Sequence, residues 1–231
     1  MGAGSAGAGS NSQNSAGAGG AAAGGGGAGG GSDAGSTGNS AGAGGSSTTL
    51  RPFQQTLKPL QDRNLTGDFR SDNVYGDNSC AFDDPDLTIC IGDSSNSNSI
   101  YRGFLTFDLS SLPAETQGVS AAELSMSIDS IRGDPFAALG TLVAERVSFS
   151  TINLDALQGG ALGPAINVSS SATVNSTLSA DVLSLVEDDV LARGRSQIRF
   201  RFSIQTNSDN AGDLIEVLWK TLSLDVTVLI P

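Results

Sequence analysis

The densest collection of chemically capable side chains is the stretch DNSCAFDDPDLTICIGD, residues 77–93. It carries five carboxylates, Asp77, Asp83, Asp84, Asp86 and Asp93, and both of the chain's cysteines, Cys80 and Cys90. Calcium takes about six to eight oxygens from carboxylates, loop carbonyls and water, and an Asp/Asn-rich loop supplies such donors. The spacing is not that of an EF-hand loop, and a solvated acidic loop is the other reading of the same residues. The cysteines fit one disulfide closing a small loop, worth about 2–3 kcal/mol by loop entropy, in an oxidising compartment. Two free thiols are the alternative. The spacing is not C-x-x-C, so neither zinc nor a thioredoxin-type redox pair is indicated.

A second group consists of arginines and aromatics that could recognise a sugar. Arg102, Arg199 and Arg201 fall on the polar faces of alternating segments, where together they would form a basic patch for an acidic polysaccharide such as a uronate. Tyr75, Phe82, Tyr101 and Trp219 are the aromatics expected at the surface, Phe104, Phe107, Phe200 and Phe202 those expected in the core. Against these readings stand strand-face arginines pairing with nearby carboxylates and aromatics packing at a sheet edge.

Composition narrows the chemistry further. The chain has 24 acidic and 12 basic residues, no histidine, and a formal net charge of −12. An acidic surface does not suit nucleic acid or anionic lipid, which call for clustered Lys and Arg. Without histidine, Ser-His-Asp and Cys-His catalysis are excluded, and the commonest general base and transition-metal ligand are missing. A carboxylate pair can hydrolyse glycosides without histidine, but no acid/base motif stands out, and we expect no enzyme. No run reaches the ~18 apolar residues of a membrane helix, and Met1 is not followed by the basic and then apolar pattern of a leader.

The elements that must position these residues begin after residue 48. Residues 1–48 are almost wholly Gly, Ala, Ser, Asn and Thr, with one charge (Asp33) and no aromatic. The opening GAGSAGAGS is silk-like, but the unit fails within about ten residues, too few for stacked in-register repeats. We read residues 1–48 as a flexible low-complexity tether with a root-mean-square span of roughly 35–40 Å. Residues 49–231 are then one folding domain. Period-two alternation marks its strands: LTICI, YRGFLTFDL, ELSMSIDSI, TLVAERVSF, QIRFRFSIQT and TLSLDVTVLI. All but TLVAERVSF, a further strand by its composition, put aliphatic or aromatic residues on one face and mostly polar ones on the other, the pattern of antiparallel sheets with one wet face. Turn signals at RGDP, GGALGP, RGRS and SDNAGD separate them. Together they predict an all-β antiparallel sandwich, jelly-roll-like, with a single short helix in LSADVLSLVEDDVLARG, started by Ser179 and stopped by Gly194.

The string YRGFLTFDLSSLPAETQGVSAAELSMSI (residues 101–128) resembles the signature of the DNRLRE-type domain family. The matching pieces are Arg102, the run from Phe107 to Pro113, and Ala121 to Leu124; looser likenesses extend over most of residues 55–230. Two departures stand out: Val190 or Leu191 lies where the family carries a Trp, and the Cys80–Cys90 stretch is an insertion. The resemblance implies a secreted β-sandwich akin to carbohydrate-binding modules. The N-terminal tract is similar to the segment that follows the lipidated cysteine of bacterial surface lipoproteins. The expected function is therefore non-catalytic polysaccharide binding outside the cell or at its surface, with the lipid-anchored state belonging to a precursor. The alternative is a structural or adhesive surface protein whose sandwich self-associates into a filament or coat.

Overall fold

The computed structural model describes residues 49–72, 88–95 and 98–231. The tether expected over residues 1–48, and the loop carrying Tyr75, Asp77, Cys80, Phe82, Asp83, Asp84 and Asp86, lie outside the described residues.

Among the described residues eleven antiparallel strands form one sheet, nine of them along a continuous path and two pairing beside it, with three short helices between them. The alternation read from the sequence dictates which strands have two different faces. One half of the path joins β1 (Arg51–Leu57), β11 (Ser223–Ile230), the first part of β5 (Gly118–Arg132), and β8 (Thr177–Asp181). The other half runs from the last part of β5 through β10 (Leu214–Leu218), β3 (Thr88–Asp93), β4 (Ile100–Asp108), β9 (Arg195–Phe202), β6 (Leu142–Arg146) and β7 (Ile166–Ser169). A short strand, β2 (Gly67–Arg70), adds to β4. Because β5 is 15 residues long it serves both halves, pairing with β11 up to Ser125 and with β10 from Ile128. The sheet curls, and both halves press their apolar faces on one core that includes Leu105, Phe107, Leu124, Ile128, Phe200, Val226 and Val228. The gap lined by Ile89, Leu105, Met126, Phe200 and Val217 has no room for a water molecule, so the core is closely packed there.

The two outer faces differ, and only one matches the expected wet face. On the first half, Thr56, Asp225, Glu123 and Asp181 stand in one cross-strand row. Beside it, hydroxyl pairs Ser125–Ser179 (3.1 Å) and Ser127–Thr177 (3.3 Å) form a ladder open to solvent. On the second half the outer face is covered. Residues 147–163 fold back over β4, β9 and β6. A second, smaller core of Phe69, Phe104, Ile152, Ala156 and Leu157 forms beneath them, with Phe149 packed at its border. Phe104 meets Phe149 edge-on at 5.4 Å between ring centroids.

The helices depart from the sequence reading in number and in their ends. Besides the expected one, α3 (Leu183–Ala192), there are two single turns, α1 (Pro135–Ala138) and α2 (Leu154–Gln158), both too short to show a 3.6-residue period. Leu185, Val186 and Val190 of α3 are buried, as its spacing predicts. Its ends are not the expected ones. Ser179 is part of β8 and pairs with Ser125, while the Asp181 carboxylate accepts from the Leu183 amide at the helix start. At the other end Arg193, not Gly194, takes the left-handed conformation (φ 52°), a conformation glycine reaches at less cost.

Candidate functional site

β6, β9 and β4 lie side by side, and register alone brings their polar residues together. Glu145 is opposite Arg199, which is opposite Phe104. Arg201 lies two residues on along the same face, and Arg102 two residues before Phe104. The three arginines named from the sequence therefore converge on one patch of the outer face, around one carboxylate.

The contacts are charge-assisted throughout. Glu145 Oε2 accepts from Arg199 Nε (3.0 Å) and Nη2 (2.6 Å). Its Oε1 accepts from Arg201 Nε (2.8 Å) and lies 2.6 Å from Arg201 Nη2. The remaining side of Arg199 faces the C-terminal end of α2, where Nη1 donates to the carbonyls of Ala156 (3.0 Å), Leu157 (3.1 Å) and Gly159 (2.7 Å). These are the carbonyls a helix leaves without internal partners, and they carry the negative end of its dipole. Arg102 Nη1 also donates to the Leu157 carbonyl. The Asn153 side chain, accepting from the Ala156 amide at 2.9 Å, starts α2 in the position that makes these bonds.

Charge is not balanced here. Two of the three guanidiniums are bonded to the one carboxylate, the third stands near it without a bond, and Arg102 Nε is buried with no hydrogen-bond partner among the described residues. Burial, and then repulsion from Arg199, bring the Arg102 pKa down to about 10. Burial alone would raise Glu145, but the hydrogen bonds from Arg201 and Arg199 hold it below the usual carboxylate range. The expectation of arginines on a solvated face needs correcting for two of the three. Arg102 and Arg199 are buried, 7 % and 3 % exposed, because α2 and its flanking segment roof them. The Arg201 side chain keeps 24 % of its surface in contact with solvent and marks the border of the group.

Next to the cluster, Gln197 ties the roof to the sheet. Its Nε2 donates to the Phe149 carbonyl (3.0 Å) and to Thr106 Oγ1 (3.3 Å), and its Oε1 accepts from the Phe149 amide (3.0 Å). Glu145 and Gln197 were not singled out from the sequence. The available signal was the one glutamate in LVAERV, which alternation places on the same face as Val143.

Tyr101 and Trp219, expected at the surface, are buried. Tyr101 is 4 % exposed and packs with Cys90 and Leu214; Arg70 Nη1 donates to its hydroxyl at 3.3 Å and the guanidinium carbon lies 5.8 Å from the ring centre. Trp219 is 7 % exposed, in a single 3-10 turn between β10 and β11, and belongs to the main core. Both sit where a strand ends, and period-two counting does not say which way a side chain points there. Neither offers a ring face for stacking. Tyr75 and Phe82 lie outside the described residues.

Of the five carboxylates first considered for calcium, Asp93 alone is described. It is fully buried at the end of β3, where Oδ1 accepts from the Asp213 amide at 3.0 Å and Oδ2 has no partner among the described residues. No group of three metal-ligating side chains occurs among the described residues. Cys90 is fully buried in β3, and its expected partner Cys80 lies outside the described residues. On the same side, Asp68 of β2 is buried near Glu216. Burial dominates its ionisation and lifts its pKa to about 8, Glu216 adding to the shift against hydrogen bonds from the backbone of Asp68 and Cys90.

Fold and site together define an all-β antiparallel protein with a roofed arginine–glutamate group on one sheet face. No helix among the described residues is long and apolar enough to cross a membrane. No family model matches the chain, and no curated protein matches it either.

Proposed function

We propose that the protein binds an acidic polysaccharide, without catalysis, at the border of the arginine group, outside the cell or at its surface. The observation that carries this reading is the convergence of Arg102, Arg199 and Arg201 on one carboxylate, which leaves an excess of positive charge within a strongly acidic chain. A uronate carboxylate matches a guanidinium in charge. Arg201, at the border, is the residue that meets it first; Arg199 and Glu145 position it. The resemblance to the DNRLRE-type family and to carbohydrate-binding modules, the jelly-roll topology and a Cys80–Cys90 bridge belong to the same reading. So does calcium held by Asp93 together with the acidic loop, as a support of the fold rather than of the chemistry.

The test is isothermal titration of the full chain with oligouronates and with neutral oligosaccharides of equal length, with and without a calcium chelator. Binding of the oligouronate alone, weakened by Arg201→Ala, is the expected result. Absence of binding to either, with calcium present, overturns the reading. A structural or adhesive surface role is the second reading, and the observation favouring it is the exposed edge of β1.

A further inference from the structure

The two strands that end the sheet path are built differently. β7 is four residues long and its pairing with β6 slips at Leu142/Val143. Such shortness and irregularity blunt an edge against further pairing. β1 has neither device. It pairs with β11 in unbroken register over seven residues, Arg51↔Ile230 to Leu57↔Leu224, and with no other strand among the described residues. Its guards are confined to its first two residues, the charge of Arg51 and Pro52, which removes a single donor. From Phe53 to Leu57 the edge carries no charge and no proline. Phe53 is 39 % exposed although its neighbour across the ladder, Val228, is fully buried. Leu50, just before the strand, is 38 % exposed.

We propose that the open edge of β1 pairs antiparallel with β1 of a second copy about a two-fold axis at Phe53, joining the two copies' sheets into one. The competing occupant, this chain's own residues 1–48, is a poor strand. That segment contains no Val, Ile, Leu or aromatic residue and is dominated by glycine and alanine, which disfavour strands and bury little. A second β1 supplies what the edge lacks. With Phe53 on the axis, Phe53 faces Phe53, an aromatic pair on one face. Arg51 then lies opposite Gln55 and Pro52 opposite Gln54, so no like charges are opposed. A two-fold contact of this kind is self-complementary and closes at the dimer. The proposal stands on the edge alone and does not depend on glycan binding.

Sedimentation velocity of the full chain over a concentration series tests it, in the absence of any glycan. The expected result is a monomer–dimer equilibrium. Phe53→Lys, which opposes two like charges at the axis, should raise its dissociation constant by on the order of tenfold or more, with the far-UV circular dichroism unchanged. Phe53→Cys should give a disulfide-linked dimer under oxidation much faster than Leu162→Cys, an exposed position far from β1 in sequence. A monomer at every concentration overturns the proposal. So does a dimer that Phe53→Lys leaves intact and Phe53→Cys cross-links no faster than the control. A dimer formed by exchanging β1 between copies holds each Phe53 in the partner's β11 register, away from the other, and would likewise fail the cross-linking test.

Discussion

At the scale of single residues, the decisive feature is that one buried carboxylate holds two guanidiniums, one buried and one at the solvent border. Removing one member of a buried charged group leaves the others uncompensated, and Glu145→Gln should cost about 3–5 kcal/mol, measured by urea denaturation. Asp68 gives a pH signature of opposite character. Its pKa is about 8 in the folded protein against 3.8 as the reference value. The native state therefore holds a proton that the unfolded chain has released, and this residue's contribution to stability falls as pH rises from about 4 to about 8. Asp68→Asn removes that dependence. Its melting temperature relative to the parent should climb through this window and level off above pH 8; a difference constant with pH would contradict the assigned burial. The arginines could be read from the sequence as one-face residues, because alternation in YRGFLTF and QIRFRF fixes parity. Their neutralisation by Glu145 could not, since strand order decides that β6 rather than another strand lies against β9.

At the scale of elements, α2 and the segment around it turn a polar strand face into an interior. Five residues are too few to be stable alone. The turn persists because Asn153 caps it, Ala156 and Leu157 bury against Phe104, and Arg199 collects its last carbonyls. Asn153→Ala should cost about 1 kcal/mol and, by loosening the roof, raise amide exchange at Ala156 and Leu157 before the strands are affected. Alternation announced the main strands, and Leu185, Val186 and Val190 announced α3. The roof left no such trace, because SFSTINLDALQGGALGP reads as turn chemistry and its burial comes only from contact with a face assumed to be wet. β1 was also illegible: RPFQQTL is exposed on both faces but for half-buried Gln55 and buried Leu57, and its residue types carry no period-two signal to read.

At the scale of the whole molecule, one sheet half is wet outside, the other is roofed, and β1 ends the path without the guards found on β7. The all-β class was evident from the sequence because the apolar segments between its turns share one period. The curl was not, since it depends on β5 being long enough to serve both halves, and no local pattern marks where a strand passes from one set of partners to another. An acidic chain that concentrates three arginines on one face has a local field opposite to its overall charge, so binding at that face should weaken as salt rises. The most direct measurement of the central claim is titration of the full chain with an oligouronate, alongside a neutral oligosaccharide of the same length and the Arg201→Ala variant. We predict salt-sensitive binding of the oligouronate, loss of most of it in Arg201→Ala with the fold intact, and none of the neutral sugar. Equal binding of both sugars, or oligouronate binding unchanged in Arg201→Ala, would contradict the account.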